Sequence, residues 1–304
     1  MKLNPVKITV QPTFGSAAVP PVANAKVNTY RVTSETKDGY DVELVRSGDA
    51  PATGDLVVDG AHEKVGIAVD FLREVLGRNS IDGKGGVVDA LVGVTHTWAA
   101  FGGGQMLLGA PEPGFKSATE SLDVIGHELM HGVDEATVSL TYENESGALS
   151  ESYGDVFGEA IEQWHEDRAG FGTVEGARRA DWVGGEDATT TAPFINSLRN
   201  PADAAGAAGA QPAHMRDYVT MVEDNGGVHV NVGIPNKAAF EAAQVLGTEQ
   251  VAKIWYDALE HRLTSTSGFS DAARATIASA AALYPGEQTS AAVRDAWASV
   301  GIQP

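Results

Sequence analysis

Residues 121–133 read SLDVIGHELMHGV, an apolar-rich stretch that predicts a helix and contains the pattern His-Glu-x-x-His. In a helix, His127 and His131 lie one turn apart on the same face, so both imidazoles can reach one divalent metal ion. Glu128 follows the first histidine and points beside the metal, which suits a general base that acts on water. The alternative is a solvated helix face with two surface histidines and a surface charge.

A catalytic zinc site needs a third protein ligand and an open position. One common pattern places glycine three and histidine six residues beyond the second histidine, but Asp134 and Thr137 occupy these positions. The next predicted helix offers Glu151 instead, and Asp155 one turn later could hydrogen-bond the far nitrogen of a ligand imidazole. Glu162 lies roughly 16 Å further along that helix, so it could serve only a second ion.

The composition is that of a globular protein, with 304 residues, 43% hydrophobic and 20% charged. This length can build two domains with real cores or one large one. The formal net charge of −20 argues against binding nucleic acid or an anionic membrane, and surplus carboxylates could bind calcium. Because the chain has no cysteine, disulfides are excluded and any zinc site must use histidine and carboxylate ligands.

The first half of the chain is predicted to contain β-strands. Residues 1–58 show short apolar alternation interrupted by proline-rich loops, and Val87–Val94 is typical of a buried strand. The glycines at 102–104 predict a turn before a short strand that ends near Gly109.

The second half is predicted to be mainly helical. Apolar residues recur there with helical spacing in five segments: 148–166, 237–245, 249–263, 271–283 and 289–299. In the first half, one further helix besides the motif helix is expected at 59–76. Thr248, Ser270 and Thr289 are the expected N-caps of the last three helices. Residues 166–235 are expected to be rich in loops.

The chain resembles the thermolysin-like (M4) zinc metalloproteases of the bacterial neutral protease type in several separated motifs that occur in the family's order. These motifs are 122–132 (LDVIGHELMHG), 142–148 (YENESGA), 150–155 (SESYGD), 224–231 (DNGGVHVN), 236–240 (NKAAF) and 263–270 (LTSTSGFS). The resemblance covers about residues 42–302. It implies an α+β fold with a β-rich domain over residues 1–135, a mainly helical domain over 136–304, and the zinc-site helix at the cleft between them.

The resemblance also implies roles for individual residues around the metal. It supports His127, His131 and Glu151 as zinc ligands and Glu128 as the base that also shuttles the proton. Asp155 matches the carboxylate that supports a ligand histidine.

Further residues match the family's groups that contact the substrate. Tyr142 and His229 match the pair that hydrogen-bonds the developing oxyanion, and Asp224 matches the group that orients the histidine. Arg199 matches the arginine that grips a substrate carbonyl. Without the resemblance, His229 would be an ordinary loop histidine and Tyr142 a core aromatic.

The family binds calcium near the active-site helices. Asp123, Glu162, Asp181 and Glu186 match acidic ligands of one such site, while Val183 replaces an acid that serves a paired second ion. We therefore expect one calcium ion. The alternative for Asp181 and Glu186 is that they are surface acids of an acidic protein.

The substrate rim departs from the family pattern. Members usually carry Asn-Ala-Phe-Trp before the glycine turn, whereas residues 98–101 here are Trp-Ala-Ala-Phe. The asparagine that binds substrate backbone is therefore absent. The rim that includes Ala99 must bind the substrate backbone differently from that of other family members. Ser150 also stands where asparagine is common.

The specificity pocket keeps three apolar residues of the family, Phe115, Val124 and Leu198. Gly184 and Ala188 replace larger residues. The resemblance thus implies a roomy apolar pocket that prefers a hydrophobic residue after the scissile bond.

These observations predict a zinc endopeptidase that acts on a peptide or protein substrate as a monomer and binds neither nucleic acid nor membrane. The rival hypothesis is a repurposed or weakly active metalloprotease-like binding protein, which the missing rim asparagine permits. A zinc aminopeptidase would need acidic groups that hold a substrate amine, and none can be assigned.

The first residues, Met1–Pro5, lack the hydrophobic core of a signal peptide. We expect a secreted protein if the chain is a trimmed mature form. If Met1 is the native start, we expect a cytoplasmic or non-classically exported protein.

Overall fold

A mixed β-sheet forms the N-terminal half of the described chain. The computed structural model describes residues 7–10, 26–37, 39–95, 97–111, 113–169, 182–190, 195–204 and 209–303. The strands of the sheet are β1 (Lys7–Val10), β2 (Val27–Thr36), β3 (Gly39–Ser47), β4 (Val88–Val94), β5 (Ala99–Gly102) and β6 (Gln105–Gly109). Their order across the sheet is β1-β3-β2-β4-β6-β5.

Strand directions in the sheet follow from the connections. The β2–β3 and β5–β6 pairs are antiparallel hairpins, and β4 runs parallel to both β2 and β6. Gly103 and Gly104 join β5 to β6 with φ of 63° and 82°, a left-handed conformation that favours glycine and suits a tight hairpin turn. The turn predicted from the glycine run is confirmed.

Helices dominate the rest of the described chain. They are α1 (Leu56–Glu74), α2 (Leu122–Thr137), α3 (Asn144–Ala169), α4 (Glu223–Asn231), α5 (Gly233–Leu246), α6 (Thr248–His261), α7 (Phe269–Leu283) and α8 (Glu287–Ser299). A short antiparallel pair, β7 (Val183–Gly184) and β8 (Asn196–Ser197), lies between α3 and α4. The predicted α+β class, with a sheet in the first half and helices in the second, is confirmed.

The predicted N-caps Thr248, Ser270 and Thr289 were wrong. The N-caps of α6, α7 and α8 are glycines, each one to three residues earlier. Helix α7 shows the reason, because Glu145 at the start of α3 accepts a hydrogen bond from the backbone N–H of Phe269 at 2.8 Å. A side chain 124 residues away therefore contributes to fixing where this helix begins.

One continuous apolar cluster joins the sheet to the helical half. It includes Leu108 of β6, Leu72 of α1, Leu129 of α2, Phe157 of α3 and Trp255 of α6. A smaller cluster covers the other face of the sheet. Helix α2 therefore lies between the two halves of the protein. None of the helices within the described residues is both long and apolar enough to cross a membrane.

Helices α2 and α3 approach closely because glycines face the contact. A Cβ atom at Gly158 would lie 2.4 Å from the backbone oxygen of Asp123. A Cβ atom at Gly154 would lie 2.6 Å from Nδ1 of His127. Any larger residue at these two positions would push α3, and the side chains it carries, away from α2.

We expect Gly158→Ala to lower the melting temperature, because the added methyl group meets backbone that cannot swing aside. Overpacking costs about 1–3 kcal/mol, and each kcal/mol shifts the melting temperature by about 2–4 °C in mid-sized proteins. Gly66→Ala in α1 is the control, because no atom lies within 4 Å of the added Cβ. Calorimetry that finds Gly158→Ala as stable as Gly66→Ala would contradict the close packing.

Candidate metal and catalytic site

Three side chains from α2 and α3 bring metal-binding atoms together. Nε2 of His127 and Nε2 of His131 are 3.1 Å apart. The carboxylate of Glu151 lies 3.4 Å from the first of these nitrogens and 3.5 Å from the second. Within the part of the chain that the structure describes, no other group of three His, Asp or Glu residues places its ligand atoms within 4.8 Å of one another.

The spacing of this triangle fits zinc. Tetrahedral zinc with bonds of about 2.0–2.1 Å to nitrogen and oxygen separates its ligand atoms by about 3.3–3.4 Å. The donor set of two imidazoles and one carboxylate is a usual one for catalytic zinc. Burial raises the pKa of Glu151, but the neighbouring histidines outweigh it and hold the pKa well below its usual range. The carboxylate is therefore charged and ready to bind a cation.

Asp155 holds the ring of His127. Its Oδ1 accepts a hydrogen bond from Nδ1 of His127 at 2.9 Å and another from Asn196 at 2.7 Å. Its Oδ2 accepts from Asn236 at 2.7 Å. Because a carboxylate only accepts, Nδ1 carries the proton and Nε2 presents its lone pair to the triangle.

Sequence reasoning missed the two asparagines that support this carboxylate. Asn196 and Asn236 lie 41 and 81 residues beyond Asp155. No local pattern connects residues so far apart. Asn236 stood within one of the quoted family motifs, but nothing in the motif indicated its partner.

Glu128 lies half-buried beside the triangle, on the wall of the cleft. Burial raises the pKa of its carboxyl group to about 7, against the opposing effects of His127 and of a hydrogen bond from the backbone of Phe101 in β5. A carboxyl group with such a pKa can both accept and return a proton near neutral pH.

Tyr142 and His229 both contact the carboxylate of Glu151. The Tyr142 hydroxyl donates to Glu151 and lies 3.3 Å from Nε2 of His229. Burial, with the charge of Glu151, raises the pKa of Tyr142, so its hydroxyl stays protonated. Burial lowers the pKa of His229, but the charges of Glu151 and Asp224 raise it further, and the net shift is upward. Tyr142 is therefore a hydrogen-bond donor, and the upward shift favours the protonated, donating form of His229.

Asp224 orients His229 through two hydrogen bonds. Its carboxylate accepts from the backbone N–H of His229 at 2.8 Å and from Nδ1 at 2.6 Å. Four residues from Asp224 to Gly227 adopt left-handed backbone, with φ of 53°, 50°, 86° and 82°. Two of them are not glycine, so this turn holds backbone strain at the site. Helix α4, which contains the turn, falls in a region that the sequence predicted to be loop-rich.

The cleft beside these residues has a volume of about 690 Å³. Ala99, Phe115 and Val124, three of the predicted substrate-binding residues, line it, and their role in binding stays a prediction. Leu198 is buried in the apolar cluster and Arg199 is exposed. Neither belongs to the described lining of the cleft, and their roles in substrate binding stay predictions.

Glu159 is a lining residue that sequence reasoning did not single out. It is only 1% exposed and lies on the α3 stripe that carries Glu151 and Asp155, two turns beyond the former. The four-residue spacing was visible in the sequence, so helical periodicity could have found it.

An acidic cluster adjoins the cleft, which Asp123 also lines. Asp123 and Glu162 are both buried, and burial together with neighbouring acids raises the pKa of each. Glu186 and Asp187 are among those acids. Asp181, the fourth predicted calcium ligand, lies outside the described residues. Asp187 was not predicted to belong here.

Comparison with known proteins gives consistent matches along most of the chain. A family model described as thermolysin metallopeptidase, catalytic domain, matches residues 16–135. A second, described as thermolysin metallopeptidase, alpha-helical domain, matches residues 138–302.

Individual relatives agree with these models. An extracellular metalloprotease of Pectobacterium carotovorum subsp. carotovorum is 36% identical over 275 residues, which are 86% of this chain and 77% of the relative. Protease PrtS of Photorhabdus sp. (strain Az29) is 38% identical over 276 residues, 86% of this chain and 72% of the relative. The solved structure of the precursor of protealysin, a metalloproteinase from Serratia proteamaculans, has a TM-score of 0.82 and 32% identity, and the match covers 94% of this chain and 89% of that one.

We expect Gly154→Ala to weaken metal binding, because the new methyl group would lie 2.6 Å from Nδ1 of His127 and displace the ring from Asp155. Loss of such support typically lowers metal affinity by about 10–100-fold. Titration of zinc against a chromogenic chelator measures the change. Gly66→Ala, remote from the triangle, should bind zinc as the wild type does. Equal affinities for the two variants would contradict this account of the α2–α3 contact.

Proposed function

The chain belongs to the thermolysin family of metallopeptidases and is a metalloendopeptidase, and we propose that it hydrolyses internal peptide bonds with a zinc ion held by His127, His131 and Glu151. The observation that carries the proposal is the donor triangle, with separations of 3.1, 3.4 and 3.5 Å. When bound, zinc supplies Lewis acidity that polarises the substrate carbonyl and lowers the pKa of water.

Glu128 is the proposed general base and acid. It takes a proton from the water molecule as that molecule attacks the peptide carbon, and then returns the proton to the leaving amine nitrogen. Its position supports this role, because it directly follows the proposed ligand His127 in α2 and lines the cleft.

Tyr142 and His229 are the proposed donors to the oxyanion that develops on the substrate carbonyl oxygen. Their polar atoms lie 3.3 Å apart; the pKa of Tyr142 is raised by burial and by Glu151, and that of His229 is raised because Glu151 and Asp224 outweigh burial, which favours the protonated form of each. Removal of one such donor typically costs about 3 kcal/mol of transition-state stabilisation. Asp224 holds the His229 ring in place through its bond to Nδ1.

We expect Glu128→Gln to lower kcat for an internally cleaved peptide by about 100-fold or more, because proton transfer is lost. Zinc content should stay unchanged, since Glu128 is not one of the three proposed ligands. Glu135→Gln, on an exposed position of the same helix, is the matched control and should keep full activity.

Hydrolysis that survives Glu128→Gln would rule out this mechanism. If the zinc-loaded wild type cleaves no peptide at all, the rival hypothesis of a repurposed binding protein gains support instead. Peptides with a blocked N-terminus should be cleaved as well as free ones, which separates an endopeptidase from an aminopeptidase.

We propose that the cleft prefers a hydrophobic residue immediately after the scissile bond. Support comes from Phe115, Val124 and Ile195, which line it together with the small Gly184. In a peptide library cleaved by the wild type, leucine, isoleucine or phenylalanine should follow the cleaved bond most often. A profile dominated by lysine or arginine there would overturn this preference and indicate that the buried carboxylate of Glu159 sets specificity.

We also propose one calcium site at the acidic cluster of Asp123, Glu162 and Glu186, with Asp181 as the fourth ligand that the family resemblance implies. Burial raises the pKa of both Asp123 and Glu162, and neighbouring acids add to each shift, so a bound cation would stabilise the charged carboxylates; calcium prefers such oxygen ligands. Oε2 of Glu162 is buried and has no hydrogen-bond partner among the described residues, which leaves this oxygen available to a cation.

With zinc held saturating, calcium should raise the melting temperature of the wild type, because a ligand that binds only the folded state stabilises it. Glu162→Gln should abolish that response. Glu287→Gln, at the exposed start of α8, should retain it. A melting temperature of the wild type that is independent of calcium would refute the site.

A further inference from the structure

Ser150 connects the second metal-binding histidine to a buried carboxylate at the end of α2. Nδ1 of His131 lies 3.4 Å from Oγ of Ser150. The same hydroxyl donates to Oδ2 of Asp134 at 2.8 Å. Ser150 and Asp134 are each only 4% exposed, so water does not readily compete for these contacts. The two ligand histidines are thus supported differently, since His127 bonds a carboxylate directly.

The chain of hydrogen bonds has a single possible direction while Asp134 is ionised. A carboxylate only accepts, so the one proton of the Ser150 hydroxyl goes to Asp134. The lone pairs of Oγ then face His131, and its Nδ1 must carry a proton to complete the contact. That tautomer leaves the lone pair of Nε2 free, and Nε2 is the atom that faces Glu151.

Asp134 is itself fixed by the loop that leaves α2. Its Oδ1 accepts from the backbone N–H of Leu140 at 3.0 Å. Its backbone oxygen accepts from Ser139 at 2.7 Å, where φ is 52°. The carboxylate therefore cannot turn away from Ser150 without losing its hydrogen bond to Leu140, in the segment between α2 and α3.

We propose that Asp134 and Ser150 form a relay that positions His131 for zinc, by fixing both the orientation of its ring and the protonation of its Nδ1. Neither residue is a ligand, and both act through the histidine. The inference rests on the proposed zinc function of the triangle. It assigns a role to two residues that lie 16 positions apart in the chain and that no spacing in the sequence connects.

The test compares Ser150→Ala with Asp134→Asn. Ser150→Ala removes the acceptor of His131. In Asp134→Asn the amide oxygen can still accept from Leu140, but the amide nitrogen donates to Ser150 and so reverses the hydrogen bond. Zinc affinity, measured by competition with a chelator, should fall by about 10–100-fold in each variant. The double variant should bind zinc no more weakly than whichever single variant has the lower zinc affinity, because both changes break the same chain of hydrogen bonds.

A second measurement distinguishes the loss of His131 positioning from a general loosening of the protein structure. In the zinc-loaded wild type, nitrogen-15 NMR should detect the Nδ1 proton of His131 in slow exchange, and Ser150→Ala should abolish that signal. The matched control is Ser152→Ala, a buried serine of the same helix that is 2% exposed and directed to a different face. It should leave zinc affinity and the signal unchanged.

The outcomes distinguish the relay from the function on which it rests. If the wild type binds no zinc, the proposed function fails. If the wild type binds zinc and both Ser150→Ala and Asp134→Asn bind it equally well, the relay alone is overturned. The relay is also overturned if Ser152→Ala weakens zinc binding as much as Ser150→Ala and Asp134→Asn do. Fully additive effects of the two relay variants on zinc affinity in the double variant would overturn it as well.

Discussion

The carboxylate of Glu151 is the group on which the rest of the site depends. It is 3% exposed, and burying an unpaired charge costs several kcal/mol. Four neighbouring side chains contact the carboxylate and compensate its charge: His127, His131, Tyr142 and His229. The two histidine ligands and the two proposed oxyanion donors are thus oriented around one oxygen pair. The same arrangement holds the metal donors at separations that suit zinc.

This arrangement requires two helices to lie unusually close. Gly154 and Gly158 leave space for His127 and for the backbone of Asp123. The contact brings a carboxylate row of α3 against the histidine face of α2. The sheet then contributes the other wall, because β5 places Phe101 against Glu128 and Ala99 at the rim of the cleft. We propose that the boundary between the two domains falls at residue 135, in the last turn of α2, which leaves the site at their junction.

Much of this arrangement was accessible from the sequence because it depends on helical periodicity. The spacing of His127 and His131, and that of Glu151 and Asp155, predicted which side chains share a face. What periodicity cannot show is contact between distant segments. Asn196 and Asn236 reach Asp155, and Glu145 caps α7, across separations of 41, 81 and 124 residues. The left-handed turn at 224–227 was missed as well, because two of its residues are not glycine.

The central claim is that two imidazoles and the Glu151 carboxylate bind one zinc ion. Zinc K-edge X-ray absorption on the loaded wild type and on Glu151→Gln tests it most directly. We predict one tightly bound zinc per wild-type chain, with scattering from two imidazoles and zinc–ligand distances of about 2.0–2.1 Å. Glu151→Gln should bind zinc substantially more weakly. A wild-type spectrum without imidazole scattering, or a variant that binds zinc in the same coordination and with the same affinity, would contradict the account.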